Sequence, residues 1–104
     1  MELNAKTGSI ITEKQAKELI AAFGEKYPLE IKSSFIGMDN VNKILEQENC
    51  VGLRIHNGYD SENGKMNLIF VGVDVNGKEI LENGLIYDKV LLCPDYCPID
   101  GLGF

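Results

Sequence analysis

Leu68-Ile69-Phe70-Val71-Gly72-Val73-Asp74-Val75-Asn76-Gly77 is the stretch on which the fold turns. Its first six residues are apolar on both faces of an extended chain, the pattern of a central strand covered on two sides. Asn76 and Gly77 tolerate positive φ and so favour a tight turn, which ends the strand and starts a hairpin. The spacing predicts a strand over 66–75, a turn at Val75-Asn76-Gly77-Lys78, and a return strand over 78–81.

Working outward, Val51, Leu53 and Ile55 alternate with Gly52, Arg54 and His56, which predicts a half-buried strand over 51–58. Residues 85–92 read as a third long strand. Asn-Gly occurs at 57, 63, 76 and 83, and the pair at 57 and 63 is expected to bracket one longer polar hairpin loop.

The N-terminal half reads as helical. Thr12 with Gln15 three residues on forms a capping-box pattern, and Ala16, Leu19, Ile20, Phe23 and Tyr27 follow at helical spacing. Pro28 stops this helix, giving a span of about 12–26. A second helix is expected over about 39–48, capped by Asp39 and with Val41, Ile44 and Leu45 on its apolar face. Between them, residues 29–36 read as a short extended piece.

The fold class that follows is α+β: a mainly antiparallel sheet of four to five strands with the two helices packed on one face. At 104 residues, 44% hydrophobic and 25% charged, the chain is expected to form one domain over 1–104, with 93–104 as a Cys/Pro tail. A core of that size folds without disulfides or metal, so the cysteines need not be staples.

Sixteen acidic against ten basic residues give a net charge of −6, and no Lys/Arg cluster opposes it. That field repels phosphate backbones and anionic lipid, so neither nucleic acid nor membrane is expected as a partner. Met1-Glu2-Leu3-Asn4-Ala5-Lys6 lacks the basic start and apolar run of a signal peptide. With an odd number of cysteines, three, the expectation is a cytoplasmic protein with reduced thiols.

Candidate chemistry concentrates in the tail, Cys93-Pro94-Asp95-Tyr96-Cys97-Pro98. Cys93 and Cys97 are the redox candidates, although their spacing is one residue longer than the thioredoxin-type pair. The prolines stiffen a turn that can bring the two sulfurs together without requiring it. A zinc site wants four ligands, and this chain offers Cys93, Cys97, Cys50 and His56 at most. His56 is the single histidine and is expected to face solvent beside Arg54, without a catalytic partner. Asp60-Ser61-Glu62-Asn63-Gly64 fails as a calcium loop: with Gly64 at the sixth place, Tyr59 and Phe70 occupy positions that need carboxylates. Glu46, Glu48, Asp60 and Glu62 read as solvated surface, and no phosphate-cradling glycine loop is present. Gly101-Leu102-Gly103-Phe104 has the letters of a PDZ carboxylate loop but no strand and groove after it.

Phe70-Val71-Gly72-Val73-Asp74 followed by Asn76-Gly77, together with the Cys-Pro-x-x-Cys-Pro tail at 93–98, resembles a group of small bacterial proteins. That resemblance covers about a third of the chain and implies no activity, cofactor or catalytic residue. It implies only that the tail belongs to the domain.

The functional expectation is a non-enzymatic module for protein interaction or self-association, with no cofactor. The sheet edges and the apolar Ile99, Leu102 and Phe104 of the tail offer surfaces for a protein partner or a second copy. The alternative is a thiol-redox or zinc-binding protein using Cys93 and Cys97. An active site assembled from scattered residues leaves no local motif, so the sequence decides only against motif-borne catalysis.

Overall fold

In the computed structural model the chain is described over residues 3–81, 84–88, 91–93 and 102. The elements in order are α1 (Glu13–Lys26), β1 (Ser33–Phe35), α2 (Met38–Leu45), β2 (Cys50–Asp60), β3 (Lys65–Asp74), β4 (Ile86–Tyr87) and β5 (Leu91–Cys93). Both sheets are antiparallel: β1 pairs with β5, and the second sheet runs β2-β3-β4. The protein is α+β, with its strands divided between two sheets where one sheet of four to five strands was expected.

The β2–β3 hairpin dominates. Its ladder runs from Cys50 opposite Asp74 to Asp60 opposite Lys65, with a register shift between Cys50 and Gly52. Asn57-Gly58 lies inside this ladder, opposite Leu68 and Asn67, so the expected loop from 57 to 63 contracts to a turn over 61–64. A Cβ on Gly58 would stand 3.1 Å from the Asn67 carbonyl oxygen; here glycine serves a close cross-strand approach and not a turn. The turn itself is organised by Asp60, whose carboxylate accepts from the backbone N–H of Glu62 and Asn63 and from Asn63 Nδ2, and it closes on Gly64 at φ 65°. These bonds hold the Asp60 carboxyl below its usual value.

At the other end, Asp74 Oδ1 accepts from the N–H groups of Asn76 and Lys78, and Gly77 sits at φ 83°. A turn forms here, one residue earlier than the expected Val75–Lys78: Gly77 N–H donates to Asp74 O, and Asp74 N–H donates to Lys78 O. The strand expected over 78–81 is reduced to a bridge between Val73 and Glu79 and the bond from Ile80 N–H to Gly72 O. The Leu81 carbonyl accepts from Gly84 N–H.

The strand expected over 85–92 is also broken. Phe70 pairs with Tyr87 and Val71 with Ile86, and continuing that register would set Asp88 opposite apolar Ile69. The chain leaves β3 at that point, and Leu91–Cys93 pairs with β1 in the other sheet.

Of the two helices, α2 packs on β2 and β3. Its seat is Gly72, where an added Cβ would meet Gln47 Nε2 at 2.8 Å, Cys50 Sγ at 3.1 Å and Ile44 Cγ2 at 3.2 Å. Ile44 is completely buried, and Gln47 locks the helix end by donating to Ile44 O and accepting from Leu85 N–H. The helix begins after Gly37, so Asp39 lies in its first turn and is not the expected cap. It ends at Leu45, short of 48, as the chain turns through Asn49 at φ 67° into β2.

The capping box of α1 forms as predicted: Thr12 Oγ1 accepts from Gln15 N–H at 3.1 Å, and Gln15 Oε1 accepts from Thr12 N–H at 2.9 Å. Its packing differs from expectation. Ala16, Ile20 and Gly24 are half-buried, while Leu19, Phe23 and Tyr27 stay exposed, and no residue of the helix is buried. Lys32 ties its C-terminal end to the smaller sheet, with Nζ donating to Tyr27 O and N–H donating to Cys93 O. Among the described residues the hydrophobic core comprises Ile44, Phe70, Val71, Val73 and Cys93.

Candidate functional site

Strand alternation decides which candidate groups can meet. Leu53 lies opposite Gly72 and Ile55 opposite Phe70, placing these on the face that receives α2. Arg54, opposite Val71, and His56, opposite Ile69, share the other face. The register shift after Cys50 returns that cysteine to the α2 face, where its half-buried thiol donates to Gly52 O at 3.3 Å. Cys50 and His56 therefore point to opposite sides of one strand and do not converge.

Cys93 ends β5, is buried, and is disulfide-bonded, whereas Cys50 is a free thiol. Cys97 and the rest of the Cys-Pro turn lie outside the described residues. A disulfide sulfur offers no thiolate to a metal, so a zinc site at Cys93 would require reduction first. Among the described residues no group of three or more His, Cys, Asp and Glu side chains is arranged to hold a metal ion.

His56, expected without a partner, has one. Its Nε2 lies 2.5 Å from Glu79 Oε2, and Arg54 Nη1 lies 3.3 Å from the same oxygen while also donating to Gly77 O. The His56 hydrogen bond is the largest cause holding the Glu79 carboxyl below its usual value of 4.5; the Arg54 bond and both positive charges add to it, against an opposing desolvation. Chemically this is a histidine oriented by a carboxylate, half of a general-base arrangement. The other half is missing among the described residues: no hydroxyl or thiol is bonded to His56.

Beside this cluster, residues 3–7 form a groove of about 380 Å³ against β2 and β3, lined by Leu3, Thr7, Val51, Leu53, Arg54 and Val73 among others. Its volume falls at the small end of ligand-sized cavities, but Arg54 is its single charged lining group, and that charge is already engaged by Glu79.

Glu79 and the groove were not legible in the sequence. Alternation put Arg54 and His56 on one face, but Glu79 joins them only through its bridge to Val73, itself opposite Gly52. The two-residue turn expected at Val75–Lys78 sets Glu79 opposite Asp74 on the other face, and the observed bridge to Val73 differs from it by one residue. No helix among the described residues is long and apolar enough to cross a membrane. No protein-family model matches the chain, and neither does any curated protein or any solved structure.

Proposed function

We propose that the chain is a non-enzymatic interaction module whose working form is assembled, by self-association or with a protein partner. One observation carries this reading: the chain exposes far more surface than a finished monomer of its size. Its accessible surface is 8099 Å². A compact monomer of 11.5 kDa exposes about 5,800 Å². The excess is more than the ~800 Å² that each partner buries in a standard interface. Much of it is apolar, including Leu19 and Phe23 on α1, Tyr27 at its C-cap, and Ile55 and Tyr59 on β2. The radius of gyration of 15.2 Å agrees, against about 13 Å for a compact chain of this length.

The acidic net charge of −6 argues against nucleic acid and anionic membrane as the partner. Neither zinc nor another cofactor enters this reading. The expectation of the cytoplasm is tied to reduced thiols, and the disulfide at Cys93 removes that support. Thermal unfolding across a range of protein concentrations tests it, because assembly of folded chains raises Tm with concentration. A concentration-independent Tm together with a monomeric mass would remove self-association. Binding then rests on a heterologous partner, and restoration of a compact surface by that partner becomes the requirement.

The thiol-redox alternative is favoured by one specific feature, the disulfide at Cys93. Its pairing with Cys97 would make the tail a reducible clip. Thiol titration of the native, unreduced protein should then give one thiol, Cys50, rising to three on mild reduction without unfolding. Reduction only after denaturation would assign the bond a purely structural role.

A further inference from the structure

We propose that the partner is a second copy of this chain, joined through antiparallel pairing of β2 with β2 about a two-fold axis at Asn57. This rests on the interaction reading above and makes it specific. In the sheet order β2-β3-β4, β2 is an edge strand 11 residues long. An open edge of that length is a template for another strand, and proteins usually guard it with proline, lysine or a bulge. Here the irregularity lies at Cys50/Gly52, residues 3–7 line a groove with Val51–Arg54, and β2 contains neither proline nor lysine. Among the described residues no strand pairs with the outer edge of Ile55 to Asp60, where Ile55 is 52% and Tyr59 70% exposed.

The sequence of that stretch is complementary to itself. With Asn57 opposite Asn57 of the second copy, Ile55 meets Tyr59, His56 meets Gly58 and Arg54 meets Asp60, each pair occurring twice. Directly opposed residues in an antiparallel pair share a face, so Ile55 and Tyr59 extend the apolar face that already carries Phe70 and Leu68. A β-branched residue facing an aromatic one is a favourable cross-strand pair. Arg54 and Asp60 already have partners in their own chain, at Gly77 and Glu79 and in the 61–64 turn, so they act as opposite charges at neighbouring positions that select the register. Shifting the axis to Ile55 would instead set Arg54 against His56. Shifting it to His56 would set the two histidines against each other and Ile55 against Asn57, losing the Ile55–Tyr59 and Arg54–Asp60 pairs. An isologous contact of this kind closes at two copies and leaves no edge for further growth.

The register gives the test. Across the axis the two copies of residue 57 lie ~5 Å apart at Cα, within disulfide range, whereas the two copies of residue 55 are offset by four positions, ~13 Å along the strand. Asn57→Cys should therefore form a covalent dimer on mild oxidation, detected on non-reducing gels, while Ile55→Cys and the wild type, which retains free Cys50, should not. Ile55→Lys and, separately, Tyr59→Lys should sediment as folded monomers at concentrations where the wild type is a dimer. If the wild type is dimeric but both lysine variants stay dimeric, or Asn57→Cys links no faster than Ile55→Cys, β2 pairing is overturned and the interaction module stands on another surface. A wild type that stays monomeric at every concentration overturns β2 pairing and self-association together.

Discussion

Gly72 shows how one residue can set the distance between a helix and a sheet. Its missing side chain is the space into which Ile44, Gln47 and Cys50 project. A methyl there faces Ile44, which is fully buried and β-branched, and Gln47, which is held by two hydrogen bonds; neither moves without loss. Gly72→Ala is expected to destabilise by about 1–3 kcal/mol through overpacking, read as a lower urea midpoint with an unchanged m-value. An unchanged midpoint would mean that α2 does not seat on this residue. Glu79 makes the corresponding point in electrostatics. Its folded carboxyl titrates below its ordinary value of 4.5, so it contributes stability above that pH and loses the contribution as pH falls through the depressed folded value. Glu79→Gln should therefore be less stable than wild type near neutral pH, with the difference shrinking in the acid range. A difference that stays constant to low pH would contradict the His56–Glu79–Arg54 arrangement. The sequence placed Arg54 and His56 on one face through simple alternation. It could not place Glu79, because its position depends on a turn, a bridge and a register acting together.

At the scale of elements, local signals proved most legible where backbone chemistry decides them. The capping box at Thr12 and the turn at Asn76-Gly77 both form, because each is satisfied within a few residues of itself. Elements defined by pairing partners were less legible. Asn57-Gly58 has the letters of a turn yet serves inside β2, and residues 85–92 split between two sheets where Asp88 meets Ile69 in the continued register. The amphipathic stripe of α1 predicts a helix packed on the sheet, but periodicity alone cannot say whether an apolar face meets its own chain or another. Because α1 buries no residue, its stability should be local and separable from that of the hairpin. Thr12→Ala is expected to cost the helix about 1 kcal/mol, lowering amide protection in its first turns while leaving β2 and β3 protection unchanged. Equal loss of protection in both would show that α1 is integral to the cooperative core.

For the whole molecule, the informative quantity is the mismatch between a small buried core and a large exposed surface. Among the described residues five apolar side chains are buried, while large apolar side chains on α1 and β2 stay exposed. No single charged group or cavity stands out as strongly as that excess. The cluster at Glu79 lacks a bonded nucleophile, and the groove beside it spends its one cation internally. Composition alone suggested an ordinary globular protein, because hydrophobic content records how much apolar material exists and not where the fold buries it. The cysteine tail keeps its interest at Cys93, a disulfide sulfur at the end of β5, while residues 94–101, Cys97 among them, lie outside the described part of the chain. Self-association is tested most directly by sedimentation equilibrium of the wild-type chain from low micromolar to submillimolar concentration. A reversible monomer–dimer equilibrium, with dimer mass at the upper end, is the expected result. A single species of 11.5 kDa over the whole range would contradict it.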